Sequence, residues 1–304
     1  MTLEISPRIQ RTWRAPNFDS ELYLGSVGPN RNADLILDVH VHFRRIEPPS
    51  FVTDTSGTRH PVLSWGSDWR GWIDRCVQTI ERRFNDKLWM IPSSDWGVRF
   101  GISGAYYRPN IKCGLRIHAV GPSDRRHLLL DCYRVPPTFC PMTPAEVASA
   151  PMYRSYMQGD YGRIVNVDAW SCVTHAAEGH RMEVAAHEFG HFLGFAHVGV
   201  GSPGCPTPSN NQPCYGITVH QRGDLLGYGG RVEVWHSSPW LRRLPRHLNR
   251  GISGTVTMAR PRPQRIEAVQ VSGVQTLPRP QRTQGVQTPS MDGGVRDGGL
   301  RDVI

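Results

Sequence analysis

Lysine is almost missing from this chain. Lys87 and Lys112 are the only two in 304 residues, so the formal charge of +9 rests on arginine. That charge is spread along the chain rather than gathered in one block, which fits a solvated surface better than a nucleic-acid arm. No nucleic-acid motif accompanies it, so no specific nucleic-acid partner is expected. Long apolar runs are missing too. None approaches the ~18 residues that a membrane-spanning helix needs, so no membrane span is expected. The opening stretch, MTLEISPRIQRTWRAPNFDS, lacks the apolar core of a secretory signal.

No C-x-x-C pair occurs among the 7 cysteines, which argues against a cysteine-type zinc site. Cys205 and Cys214 bracket a polar loop rich in Pro and Asn, where a disulfide would close a short ring. Cys76 falls on the apolar face of an expected helix and reads as a small core hydrophobe. The odd count leaves at least one thiol free in a monomer.

Glycine (31) and proline (25) are plentiful, and the hydrophobic share is 38%. That balance leaves room for one large domain or two small ones, together with much loop. Residues 1–33 are polar and irregular and read as an N-terminal arm. From about 253 the composition shifts: PRPQR occurs at 261–265 and 278–282, and GVQT at 273–276 and 285–288. Repeats this short and polar bury no core, so 253–304 reads as a disordered tail rich in Pro, Gly and Arg. Its Pro-Arg pairs suit docking on an unidentified partner protein.

Between them, 34–252 carries the periodic segments. Residues 35–46 alternate as a strand, with His40 and His42 on one face. That pair can bind metal, or simply form the strand's polar face. Residues 67–86 place Trp69, Trp72, Ile73, Cys76, Val77, Ile80 and Phe84 at helical spacing, with Ser67 as the expected N-cap. Strands are expected at 87–91, 111–120 and 126–135, the last two forming a hairpin across a Gly-Pro-Ser-Asp turn, and again at 162–168. A helix is expected over 180–194. Ser238 and Pro239 look like another helix start, with Trp240, Leu241, Leu244 and Leu248 as its apolar face and Pro245 as a kink. The pattern predicts an α/β (α+β) chain, a twisted mixed sheet with helices packed on it.

The stretch that organises the rest is HEFGHFLGFAH, His187 to His197. His187 and His191, four apart, share one face of a helix and can reach one metal ion. Glu188 then stands near the metal without being a ligand, where a general base for water belongs. Gly194 can take φ > 0 and turn the chain, bringing His197 round as a third ligand. Three protein ligands leave a fourth position open, the arrangement of a catalytic rather than a structural zinc.

This stretch matches H-E-x-x-H-x-x-G-x-x-H and so resembles the signature of the metzincin clan of zinc peptidases. The resemblance implies a zincin-like fold: an upper lobe of twisted sheet and helices (to about 197) above a cleft, and a small lower lobe (about 198–252) beneath it. It implies one catalytic Zn2+ on His187, His191 and His197, with Glu188 as general base. It implies a protein or peptide substrate lying along an edge strand, and an extracellular setting; without a visible signal a cytoplasmic one stays open. In that clan a tight turn below the zinc carries a methionine, often with a tyrosine two residues on. Leu226-Gly227-Tyr228 has that spacing with Leu226 in the methionine position. Tyr228 then becomes a candidate to ligate the metal or to stabilise an oxyanion; otherwise it is a turn residue with its hydroxyl in water. The function that follows is zinc-dependent endopeptidase, with a non-catalytic protein-binding module as the alternative.

Overall fold

In a computed structural model of the chain, the described residues are 3–4, 10–24, 33–53, 59–93, 98–102, 105–135, 155–165, 174–175, 180–209, 211–248, 254–262 and 264–266. The chain divides into two units after Glu267, and all described residues belong to the first.

The architecture is a mixed α/β one built on a nine-stranded sheet. Its strands are β1 (Gln10–Trp13), β2 (Asp19–Tyr23), β3 (Ala33–Ile46), β4 (Trp89–Pro92), β5 (Ile111–Ala119), β6 (Leu128–Tyr133), β7 (Tyr156–Gln158), β8 (Tyr161–Val165) and β9 (Gly254–Thr257). The long β3 is the spine. β5 runs parallel along one side of its first half, pairing Ile111 with Ala33 through Ala119 with Val41. On the other side β2 runs antiparallel against residues 34–38, and β6 runs parallel against residues 41–46. β8 pairs parallel to β6, and β7 folds back antiparallel on β8 as the last strand of that path.

The expected hairpin of 111–120 with 126–135 does not form. β6 begins opposite Val41, where β5 ends, but on the other side of β3. The Gly121–Asp124 turn is real, with Gly121 N–H donating to the Asp124 carboxylate at 2.8 Å. It carries the chain across β3, with Val120 N bonded to Val41 O and His127 N to His40 O. Local turn chemistry is the same for both outcomes; the choice is made by the fourteen-residue length of β3, which offers two successive docking sites.

Two polar segments also join the sheet. Strands β1 and β2 come from the stretch read as an arm, and β9, from the stretch read as a tail, pairs with β4. Their side chains show too little alternation to signal a strand, and backbone pairing supplies what the pattern lacks. The remainder of 267–304 lies outside the described residues. A small second sheet joins Leu3–Glu4, Val98–Ile102, Ala105–Arg108 and Gln264–Ile266, none of which carries a strand signal in sequence.

Odd-numbered residues of β3 (Leu35, Leu37, Val39, Val41, Phe43) are buried, and helix α1 (Trp69–Phe84) packs on that face, Trp72 meeting Phe43 edge-on at 6.4 Å. The stripe of α1 is buried as its spacing requires: Trp72, Ile73, Cys76, Ile80 and Phe84. Ser67 does not cap it. It lies in a 3-10 turn, Gly66–Asp68, that runs directly into the helix. Asn85, just past the end of α1, bonds both the N–H and the carbonyl of Leu115, and Glu81 accepts from Ile117 N–H. These side chains satisfy the edge of β5 beyond its short pairing with β4.

Three further helices follow among the described residues: α2 (Val184–Phe192), α3 (Val219–Arg222) and α4 (Ser238–Leu248). Ser238 is not an N-cap either, because a 3-10 turn, Val234–Ser237, leads straight into α4 and Ser238 is already helical. Trp240 and Leu244 are buried, and Trp240 donates its indole N–H to Gly114 O at 2.8 Å, whereas Leu241 is 42% exposed and leaves the expected apolar face. Pro245 lies inside α4, which continues to Leu248. Among the described residues no helix is long and apolar enough to cross a membrane.

Candidate metal centre

Helix α2 starts at Glu183, whose carbonyl accepts from His187 N–H at 2.9 Å. The Glu183 carboxylate is buried and takes Arg82 at 2.9 Å on one oxygen and Arg83 on the other. Arg83 also donates to Gly230 O at 3.2 Å. One side chain of α1 therefore holds the first turn of α2 and the far limb of the turn beneath it. Phe84 against Phe189 completes the helix–helix contact in apolar material.

His187 and His191 lie on α2. Gly194 then takes φ +93, the left-handed conformation the sequence suggested, and the chain turns back. His197 arrives with its Nε2 3.4 Å from His187 Nε2 and 3.1 Å from His191 Nε2. Each ring is held from behind by a backbone carbonyl: His187 Nδ1 by Leu225 O at 2.8 Å, His191 Nδ1 by Phe195 O at 2.7 Å, His197 Nδ1 by Ser209 O at 3.1 Å. A carbonyl only accepts, so each Nδ1 carries the proton and each Nε2 presents a lone pair. Three lone pairs within reach of one another repel unless a cation lies between them. The three residues form a group that can hold a metal ion.

Burial agrees with that protonation. Burial, helped by the neighbouring His191 and His197, pushes His187 well below the usual histidine range, against the pull of the Leu225 carbonyl. Burial also lowers His191, opposed by its bond to Phe195 O. Neutral imidazoles are the form that ligates. Glu188 is half-buried on the same helix, one residue from His187.

The turn under the site is built on Asp224, which is buried. Its Oδ1 accepts Leu226 N–H at 2.8 Å, its Oδ2 takes the Trp235 indole at 3.3 Å, and His236 Nε2 stands 3.4 Å from Oδ1. His236 is fully buried and faces Phe195 edge-on at 5.0 Å; it supports the turn, whereas His220 is exposed. Leu226 is fully buried under α2, so close that a Cβ on Gly190 would meet Leu226 Cδ2 at 3.0 Å. The leucine thus forms the apolar floor beneath the ligand helix.

Tyr228 stacks on Tyr215 at 4.7 Å, and Tyr215 lies against His197 at 4.1 Å and His187 at 5.8 Å. Tyr215, which the sequence did not point to, is an aromatic ring packed against the candidate ligands His187 and His197. Its one sequence signal is its neighbour Cys214, which is bonded to Cys205 as the spacing suggested. The disulfide closes the loop that presents both Ser209 O and Tyr215. Cys76, Cys113 and Cys132 are free and buried.

His40 and His42 do not face one another as a ligand pair: His42 Nδ1 bonds Val120 O at 3.0 Å, and His40 lies beside His127 and His118, with ring centres 5.1 and 5.2 Å away. Glu183 and Asp224 were also missed. An acid just ahead of an apolar helix and an Asp two residues before Leu226 were the available signals. No family model, curated protein or solved structure matches the chain.

Proposed function

We propose that the site belongs to a zinc hydrolase. The observation that carries this reading is the convergence of three Nε2 lone pairs, each backed by an Nδ1–H bond to a carbonyl. Zn–N bonds of about 2.0–2.1 Å in tetrahedral array separate the nitrogens by about 3.3–3.4 Å, against 3.4 and 3.1 Å here. His187, His191 and His197 would hold the ion.

Within that class we propose a metzincin-like endopeptidase. Support comes from Gly194 at φ +93, from the tight turn that brings Leu226 under α2, and from the antiparallel outermost strand β7. Zn2+ held there would supply Lewis acidity, lowering the pKa of water towards about 7 and polarising a carbonyl. The Glu188 carboxylate is the base that accepts the proton of the attacking water and then delivers it to the leaving amine. Tyr215 and the disulfide-closed loop shield one side of the histidines. A phenol donor to the developing oxyanion is the role proposed for Tyr228. An extended peptide substrate would pair with the outer edge of β7, the last strand of its path among the described residues.

Zinc-loaded protein should cleave an unfolded protein substrate, lose that activity to a chelator and regain it with Zn2+. Metal binding with no cleavage by the wild-type chain would leave the protein-binding reading in its place.

A further inference from the structure

The outer face of the sheet, turned away from α1, holds a second cluster. Asp38 and His40 alternate on β3, and His118 pairs with His40 across the parallel β3–β5 register. All three therefore project from the same face, one level apart. Their ligand atoms lie within 4.8 Å of one another.

Asp38 carries the argument. Its residue is 7% exposed, and its Oδ1 is buried and accepts no hydrogen bond. His118 Nε2 stands 2.8 Å from that oxygen, and His40 Nε2 3.7 Å, yet neither is aligned to donate to it. Asp38 Oδ1, His118 Nε2 and His40 Nε2 thus converge within reach of a single ion. A buried carboxylate oxygen that meets its nitrogen neighbours only out of hydrogen-bond alignment is costly, and a cation held between them resolves that cost.

Around the cluster Asp38 and Glu21 face Arg116, and Asp19 faces Arg125, with Arg243 also acting on Asp19. Arg116 contacts Asp38 through Oδ2, leaving Oδ1 for a ligand. His127 backs the cluster: its Nδ1 accepts His40 N–H at 2.9 Å and its ring lies 5.1 Å from that of His40.

We propose that Asp38, His40 and His118 form a second divalent-metal site of the zinc class. Two imidazoles with one carboxylate favour Zn2+ over Mg2+ or Ca2+, which prefer all-oxygen sets. The ion would tie β3 to β5 on the face opposite the first centre, a stabilising rather than hydrolytic place.

The full chain dialysed against buffered Zn2+ should carry two ions by elemental analysis, the double variant H40A/H118A one, and H187A/H191A one. H118A alone should weaken the second ion at least about tenfold, since even loss of an outer-shell partner costs that much. An ion count that does not fall from wild type to H40A/H118A would overturn the proposal. Failure of the first centre reads differently, as an unchanged count in H187A/H191A. In that last variant Zn2+ should raise the melting temperature, and adding H118A should abolish the rise; a rise that survives H118A also counts against the site.

Discussion

His187 donates its Nδ1–H to the carbonyl of Leu225 at 2.8 Å, so a candidate ligand on α2 is aimed by the residue next to the one that forms its floor. Leu226, packed on Gly190, sets the height of the helix, and Leu225 sets the rotation of the ring. Leu226→Met should be tolerated, costing less than about 1.5 kcal/mol because volume is conserved. Gly190→Ala should be worse, since its Cβ meets Leu226 at 3.0 Å. Thermal melts of the two variants, compared with their zinc content, test the ranking.

Glu188→Gln should keep the three-histidine site and its metal while losing turnover by about 10²–10⁴-fold, the usual contribution of a general base. Near-wild-type cleavage by a fully loaded Glu188→Gln protein would remove Glu188 from the mechanism.

Opening the Cys205–Cys214 disulfide should cost about 2–3 kcal/mol on a loop-entropy account. Its larger effect should be on metal affinity, because Ser209 O and Tyr215 both depend on that loop. Zinc titration of the Cys205→Ala/Cys214→Ala protein at a temperature where it stays folded checks this. Tyr215→Ala should lower affinity in the same direction, about 10–100-fold as for other lost supports of a ligand. Tyr228→Phe should lower kcat with metal content unchanged.

Glu183→Ala should destabilise the fold by about 3 kcal/mol, the low end for a broken buried ion pair, because Arg82 can relax into water. Denaturant unfolding monitored by far-UV CD measures it.

Acid should act through Asp19. Burial pulls its pKa up, but hydrogen bonds from Arg125 and Ala15 N–H, with the His127 and Arg125 charges, outweigh burial and hold it below the ordinary carboxylate value. A depressed folded-state pKa contributes stability that is fully present above the unfolded value of about 3.9 and is lost as pH falls through the folded one. Asp19→Asn should therefore be less stable than wild type at neutral pH, and the gap should close below about pH 4. A gap that stays constant across that range would assign the loss to packing.

How legible this was in sequence varied with the distance over which a decision is made. The α1 stripe and the His187–His197 spacing are written within one or two helical turns, and both are found where periodicity puts them. The Cys205–Cys214 ring is equally local. The β5–β6 connection depends on β3, some eighty residues earlier in the chain, and so a turn signal alone misassigned it. Helix caps failed at Ser67 and Ser238 because 3-10 turns ran into both helices and removed the need for a cap. Glu183, Asp224, Tyr215 and the Asp38–His118 approach come from segments that meet only in three dimensions, where no single window of sequence contains the partner.

Arg83 joins the first turn of α2 to Gly230, across the limb opposite Asp224. The histidines and the floor beneath them are therefore spaced by contacts of the chain with itself. An ion entering such a frame has little chain to order, so its affinity is not diminished by that entropy loss. Uptake should accordingly follow simple bimolecular kinetics with a small heat-capacity change, in contrast to zinc domains that fold only around their metal.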